Sequence, residues 1–301
     1  MPEGIGGGKI SWMQPSERQR ALAAATSIVS ALGLAVDDAI VLNDSNKLTV
    51  RLLPCDVVAR IAPIADQVAR FEVELAQRLA ETESPVAVLD PRADPRVYER
   101  DGFAVTLWTY YQPAMSGEVS PAGYANALER LHAGMRKLDL ATPHFTDRVG
   151  QAQHLVQSSD LTPDLADSDR ELLVTTLRSR RQAIVGRGAA EQLLHGEPHP
   201  GNVLSTRFGL LFIDFETCCR GPVEFDLAHV PEDVSERYTG ADQDLLSQCR
   251  VLVLAMVAAW RWDRGDEFPD GQGAGRALLS AVRTGPPWPP LDVVMRRPDG
   301  P

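Results

Sequence analysis

The stretch LLHGEPHPGNVLSTRFGLLFIDF, from Leu193 to Phe215, sets a carboxylate at Glu197, an amide at Asn202 and a second carboxylate at Asp214. Two short apolar runs, Val203-Leu204 and Leu210 to Ile213, flank the tetrapeptide Thr206-Arg207-Phe208-Gly209. Apolar runs separated by a short glycine-containing link predict a β-hairpin with Gly209 in its turn. A hairpin returns the chain on itself, so Asn202 and Asp214 are expected side by side. An amide and a carboxylate together suit a hard cation such as Mg²⁺, which takes few protein ligands and keeps its other positions for water and phosphate. Glu197, close by in the chain, is then a candidate base. This is the layout that phosphoryl transfer needs, where positioning and charge neutralisation do most of the catalysis.

His195, Glu197 and Asn202 match the spacing of the protein-kinase catalytic loop, H-R-D-x-x-x-x-N, and Asp214 falls where the aspartate of the D-F-G segment would fall. The wording H-G-x-x-H-P-G-N, with I-D-F-E after it, resembles the aminoglycoside phosphotransferase family of small-molecule kinases. The resemblance implies an α+β, protein-kinase-like fold in two lobes, a small β-rich N-lobe with one key helix and a larger, mainly helical C-lobe. It also implies ATP or GTP as phosphate donor, Mg²⁺ as cofactor, a hydroxylated small molecule as acceptor, Glu197 and His195 as the catalytic-loop pair, and Asn202 and Asp214 as metal ligands. One residue departs from the family pattern, which has Asp at the base position where this chain has Glu197. The carboxylate is kept but reaches one methylene further, which leaves two outcomes: an active transferase, or a pseudokinase-like protein that binds nucleotide without turnover.

Under the same resemblance, Arg60, at the end of V-V-A-R, stands for the strand lysine that contacts nucleotide phosphates. Arginine suits phosphate because its planar fork binds two oxygens. Its partner is expected from the helix that comes next in the chain. Glu72 lies four residues after Val68 and three before Leu75, beside the inward stripe, where a carboxylate needs a cation. Glu74 points further round and is the alternative. Asn46, in the turn Asn43 to Asn46, sits where a loop covering the nucleotide would lie, although that turn has none of the glycines of a G-x-G-x-x-G loop. Trp108 and Tyr110 follow an apolar strand at the expected lobe junction, where backbone would meet the purine edge; ordinary core packing explains aromatics there equally well. Asp226 matches the family's aspartate after Gly-Pro and reads as a structural holder of the loop. Glu216 either reaches the metal through water or is a solvated loop residue. His132 reads as a core contact.

His195 and His199 stand four apart, which on a helix suggests a metal pair and a metallohydrolase using Glu197, but Pro198 and Pro200 forbid a regular helix there. Gly4 to Lys9 does not match a phosphate loop. The 301 residues carry a net charge of −11 and are 44% hydrophobic, an ordinary globular composition. An acidic chain gains no affinity from the phosphate backbone of nucleic acid and is not expected at anionic membranes. It suits a cationic acceptor, though acidity also serves solubility alone. Cys55, Cys218, Cys219 and Cys249 show no zinc spacing, and reduced thiols in a cytoplasmic protein fit them best. The opening MPEGIGGGKI has no apolar core of a signal peptide, and Val251 to Trp260 is too short to span a bilayer.

Along the chain, residues 1–20 read as a flexible tail and 21–109 as the N-lobe. That lobe is expected to hold a helix at Ala21 to Leu34, strands at Ala39 to Leu42, Leu48 to Leu52, Val57 to Ile61, Val86 to Leu89 and Phe103 to Thr109, and a helix over 66–81 with Val68, Phe71, Leu75 and Leu79 facing inward. Residues 110–284 read as the C-lobe, with the catalytic loop at 195–202 and the metal segment at 213–216. Its helices start at Ser120-Pro121 and at the capping box Ser168 to Glu171, and a largely apolar one runs from Asp244 to Trp262. The Pro-rich 285–301 reads as a loose tail.

Overall fold

The computed structural model of the chain describes residues 14–44, 47–64, 68–114 and 119–296. Asn46 and residues 1–13 of the expected N-terminal tail lie outside the described residues. The described residues form two compact units: one runs up to Ala114 and includes Leu204–Glu216, the other holds Val119–Val203 and the chain from Thr217 onward.

The first unit opens with helix α1 (Pro15–Ala31), then strands β1 (Val36–Asp44), β2 (Leu48–Pro54) and β3 (Val57–Pro63), helix α2 (Val68–Ala80), and strands β4 (Tyr98–Arg100) and β5 (Phe103–Thr109). They make a five-stranded sheet in the order β1-β2-β3-β5-β4, with every neighbouring pair antiparallel. The first helix starts at Pro15, ahead of the expected Ala21, because proline at the first position needs no amide partner.

Strand alternation sorts the side chains. Leu48, Val50 and Leu52 of β2, Val57, Ala59 and Ile61 of β3, and Phe103, Val105 and Leu107 of β5 pack against Ala21, Ala24, Ala25, Ile28 and Val29 of α1. Arg60, between Ala59 and Ile61, is thereby turned to the other face, where α2 lies. On α2 the buried stripe is Ala69, Glu72, Val73, Leu75, Ala76 and Leu79. Val68 and Phe71, expected inward, are only half-buried, so Glu72 sits in the middle of the stripe instead of at its edge.

The expected strand Val86 to Leu89 does not join the sheet as a strand, and β4 holds the fifth place instead. Asp101-Gly102, at φ 51° and 84°, closes the β4–β5 hairpin in the left-handed geometry that Asp-Gly favours. The 86–89 segment, with Pro85 and Pro91 at its flanks, runs as a bridge. Thr109 donates its amide to the Val88 carbonyl at 3.0 Å, Ala87 donates to Phe212 at 3.1 Å, and Phe212 donates to Pro85 at 2.8 Å.

The second unit begins with α3 (Pro121–Met135), α4 (Phe145–Gln157), α5 (Asp167–Gly186) and β6 (Gln192–Leu194), then a 3₁₀ turn at Pro200–Asn202. The predicted hairpin comes next as β7 (Val203–Thr206) and β8 (Gly209–Phe212). From Leu204 to Glu216 this hairpin segment, expected within 110–284, groups with the first unit. The chain ends in β9 (Cys219–Gly221), α6 (Val223–Leu227), α7 (Glu232–Ser235), α8 (Gln243–Arg261), α9 (Gly271–Thr284) and α10 (Leu291–Met295).

Ser120 caps α3 as expected, its Oγ accepting from Gly123 at 3.1 Å. The capping box at Ser168 does not form: α5 starts at Asp167 after an uncapped Ala166, with Asp167 and Asp169 in its first turn to favour the dipole. Helix α8 is buried without interruption from Val251 to Ala259 and packs on α4, α5, α6 and α9, the all-round apolarity of a central helix. The expected loose tail carries α10, with Leu291 buried. Among the described residues no helix is long and apolar enough to cross a membrane.

The shifted α2 stripe is testable. Leu79→Ala, at a fully buried position, is expected to cost about 2–5 kcal/mol in chemical denaturation, and Phe71→Ala less, the reverse of their ranking by side-chain size.

Candidate active site

Each unit carries its own group of functional side chains. In the first, Arg60 leaves β3 on the α2 face and donates Nη1 to Glu72 Oε1 at 2.7 Å and Nη2 to Asp214 Oδ1 at 2.7 Å. Glu216 Oε1 lies 3.4 Å from the same Nη2. Lys47, on the residue preceding β2, reaches Glu72 Oε2 and Glu216 Oε1, each at 2.6 Å. The helix glutamate is therefore Glu72, as expected. Glu74 is a surface residue paired with Arg78 at 2.7 Å.

The hairpin delivers Asp214 to this cluster. Gly209 takes φ 112° in its turn, and Thr206 Oγ1 braces it by donating to the Gly209 carbonyl at 2.8 Å and accepting from the Phe208 amide at 3.1 Å. The two bonds of Phe212 to Pro85 and Ala87 then dock β8. Asp214 itself has φ 67°, a left-handed conformation that Asp tolerates better than most residues.

Two cations thus face three acidic side chains. Burial works against the Arg60 charge, but Glu72, Asp214 and Glu216 outweigh it and hold the guanidinium protonated. Burial also opposes ionisation of Asp214, yet Arg60 and Lys47 pull its pKa down to about 2. Burial and then the neighbouring Asp214 charge push Glu216 up to about 8. Oxygen atoms of Glu72, Asp214 and Glu216 lie within 4.8 Å of one another, a hard-donor set whose chemistry fits Mg²⁺. Glu216 is thus part of the cluster and not a solvated bystander.

Trp108 is buried, with its indole Nε1 donating to Thr106 Oγ1 at 2.8 Å and its ring 6.0 Å from the Arg60 guanidinium carbon. The Tyr110 ring lies 3.8 Å under Arg51. The side chains of both are thus committed to protein contacts.

In the second unit the loop 195–202 is held by its backbone. Gly196 has φ 90°, and a Cβ there would stand 2.0 Å from the Thr217 carbonyl oxygen, so no other residue fits. The buried Asp226 accepts from the His195 amide at 2.9 Å and the Gly196 amide at 2.8 Å. His132 lies between Asp226 Oδ2 at 3.0 Å and the Tyr238 hydroxyl at 2.8 Å. His195 is fully buried, with Nδ1 at 3.4 Å from the Glu197 amide, and His199 Nδ1 accepts from the Gly201 amide at 3.1 Å. Both rings serve the loop's own backbone.

Glu197 is 2% exposed and accepts a hydrogen bond from Arg148 Nη2 on α4. The Arg148 guanidinium also lies over the Trp260 ring at 5.1 Å. Burial raises the Glu197 pKa, but the Arg148 guanidinium, through its charge and its hydrogen bond, holds it below the usual carboxylate range. His229, buried beside this pair, is pushed down to about 4 by desolvation and stays neutral. The Asn202 amide nitrogen donates to the Glu197 carbonyl at 3.0 Å, which leaves its carbonyl oxygen as the group suited to a cation.

The structure therefore gathers Arg60, Glu72 and Asp214 in one unit, and His195, Glu197 and Asn202 in the other. Lys47, Arg148 and His229 escaped the sequence reading. Lys47 follows a run of ordinary polar residues in the sequence, and Arg148 meets Glu197 across 49 residues with no local pattern to announce it.

An antiparallel sheet with a strand cation paired to a helix glutamate, joined to a helical unit that carries an H-G-E-x-x-x-x-N loop, defines a protein-kinase-like phosphotransferase. The APH model, described as the phosphotransferase enzyme family, matches residues 42–268, and the chain belongs to that family. Several solved structures share the fold. Amicoumacin kinase hAmiN, in complex with AMP-PNP, Ca²⁺ and Ami, has a TM-score of 0.68 at 10% identity, over 92% of this chain and 98% of that one. The GDP complex of wild-type aminoglycoside 2'-phosphotransferase-IIIa gives 0.66 at 16%, over 88% and 99%. Choline kinase LicA from Streptococcus pneumoniae gives 0.65 at 14%, over 87% and 98%. At such identities the likeness is one of fold. No curated protein matches the sequence.

The hold of Asp226 on the loop has a measurable consequence. Burial opposes its charge, but His132 and the two amides keep its carboxyl below the usual range. Its contribution to stability is complete above the unfolded carboxyl value, near pH 4, and is lost as pH falls through the depressed folded value. Asp226→Ala is expected to cost about 3–5 kcal/mol at neutral pH in denaturant titration, with the gap to wild type closing under acid.

Proposed function

We propose that this chain transfers the terminal phosphoryl group of ATP or GTP to a hydroxyl of a small molecule, with Mg²⁺ as the divalent ion. The observation that carries the reading is Arg60, bonded at once to Glu72 and to Asp214. A strand cation, a helix glutamate and a metal-segment aspartate in mutual contact are the parts that phosphoryl transfer requires in a kinase-like fold.

On this reading Arg60 binds phosphate oxygens while Glu72 fixes its direction. Asp214 and Asn202 are the metal ligands, with Glu216 beside them. The ion, when bound, neutralises phosphate charge and fixes the terminal phosphoryl group. The backbone at Trp108 and Tyr110 receives the base, and Asn46 belongs to the covering turn. Glu197 accepts the hydrogen bond of the acceptor hydroxyl and aims its oxygen at phosphorus. As the new O–P bond forms and the bond to the nucleoside diphosphate breaks, the hydroxyl proton passes to Glu197. His195 is a positioning residue for that loop. An amicoumacin kinase with AMP-PNP and a 2'-phosphotransferase with GDP share the fold, which supports keeping both donors. A net charge of −11 favours a cationic acceptor.

A second reading, nucleotide binding without turnover, is favoured by one observation: the Glu197 carboxylate is buried and already paired with Arg148. Labelled ATP and GTP, offered with a panel of aminoglycosides and other small alcohols, separate the two. Divalent-dependent transfer from wild type, lowered on the order of 100-fold or more by Asp214→Ala, supports the transferase. In an active enzyme, Glu197→Gln is expected to lower kcat by about 10²–10⁴-fold with little change in nucleotide affinity. Bound nucleotide that is never consumed selects the second reading, and failure to bind either nucleotide sinks both.

A further inference from the structure

Lys47 has no role in the phosphoryl-transfer scheme, yet it is 4% exposed and makes two ion pairs. A lysine is almost never this buried unless its charge is matched. Glu72 does the matching in a particular way. Its Oε1 accepts from Arg60 and its Oε2 from Lys47, so one carboxylate holds two cations side by side. The second partner of each cation is different in kind. Arg60 turns its other nitrogen to Asp214, and Lys47 turns to Glu216, the two acids of the proposed metal segment.

The cluster sets two cations against three acidic side chains. A divalent ion held by Asp214, with Glu216 beside it, would take up their charge. Lys47 and Arg60 would then share Glu72 alone, a local surplus of one positive charge with free donors on both side chains. A polyphosphate is the ligand class that answers such a surplus, because its oxygens accept from an ammonium and a guanidinium at once.

We infer that Lys47 is a second phosphate-binding cation, entering from the start of β2 and oriented by the same Glu72 that orients Arg60 from β3. The inference rests on the proposed nucleotide-dependent activity and adds to it a residue and a geometry: a clamp of two cations on one carboxylate, which grips the phosphate chain and leaves the nucleoside untouched.

Equilibrium binding tests it without reference to turnover. Wild type, Lys47→Met, Glu216→Gln and the double variant Lys47→Met/Glu216→Gln are titrated with ATP, GTP, adenosine and guanosine, with and without Mg²⁺. The double variant restores charge balance if Lys47→Met alone fails to fold, and its comparison with Glu216→Gln isolates the lysine. Losing one charge-assisted phosphate contact is expected to weaken triphosphate binding by about ten- to a hundred-fold, with the nucleoside changed by less than about twofold. Triphosphate affinity unchanged on removing Lys47, in a wild type that does bind it, overturns the assignment and leaves the functional reading standing. Equal losses for triphosphate and nucleoside overturn it too, in favour of a purely structural ion pair. A wild type that binds neither triphosphate removes the functional reading and the assignment together.

Discussion

A carboxylate at the centre of a helix's buried stripe must be paired, and Glu72 is paired twice. Leaving it alone in that position would cost several kcal/mol, since taking an ion out of water is never cheap. The fold meets the demand through two alternations. The period of β3 turns Arg60 away from the aliphatic layer under α1, and the helical period of α2 turns Glu72 towards it. Removing either side chain takes from the other one of its two close partners. The rest of the first unit's chemistry is arranged around this pair: Lys47 completes Glu72, Asp214 completes Arg60, and Glu216 closes the circuit.

The second unit holds its functional groups by other means. The loop 195–202 pairs Glu197 with Arg148, but its backbone is held by hydrogen bonds. Its shape comes from one buried acceptor, Asp226, taking two successive backbone amides, and from a glycine whose φ and crowding by Thr217 admit no side chain. Charges in the first unit can therefore exchange partners when a ligand arrives, since each cation has more than one acid within reach. The loop of the second unit has no such freedom. On the proposed function the two kinds of site serve different tasks, neutralising a polyphosphate in one case and fixing the direction of a single hydroxyl in the other.

Much of this was legible in the sequence where the signal was local. The H-G-E-x-x-x-x-N spacing, the hairpin with Gly209, the Ser120-Pro121 helix start and the choice of Glu72 over Glu74 all depend on residues within one or two turns of each other. What was illegible depended on distant partners. The 86–89 run has the apolar wording of a strand, but it serves as a bridge between β5 and β8, because Pro85 and Pro91 cut it short and Phe212 supplies its bonds. The three-residue β4 is too short and too charged to read as a strand, although Asp101-Gly102 after it is a good hairpin turn. Phe71 looks like an anchor by size, yet the register of α2 is set by the demand of Arg60 and Lys47 for Glu72. The capping box at Ser168 lost to a start one residue earlier, where Asp167 already satisfies the dipole.

Arg148 bears on the exchange of Asp for Glu at the base position. A glutamate reaches further than an aspartate from the same backbone, and here the added reach ends in a buried pair with a guanidinium that is itself pinned over Trp260. That pairing lowers the affinity of the carboxylate for a proton, so Glu197 is a poor base in the resting protein. Phosphoryl transfer with a loose transition state asks little of a base, because the attacking oxygen gains its bond late and its proton becomes acidic only then. What it does ask for is a fixed acceptor for the hydroxyl hydrogen. A carboxylate held by Arg148 on one oxygen, with its backbone carbonyl held by Asn202, is well fixed, and on the proposed function its other oxygen is the one that meets the acceptor hydroxyl. Pairing that would disable a strong base is thus compatible with, and even suited to, a residue whose work is orientation.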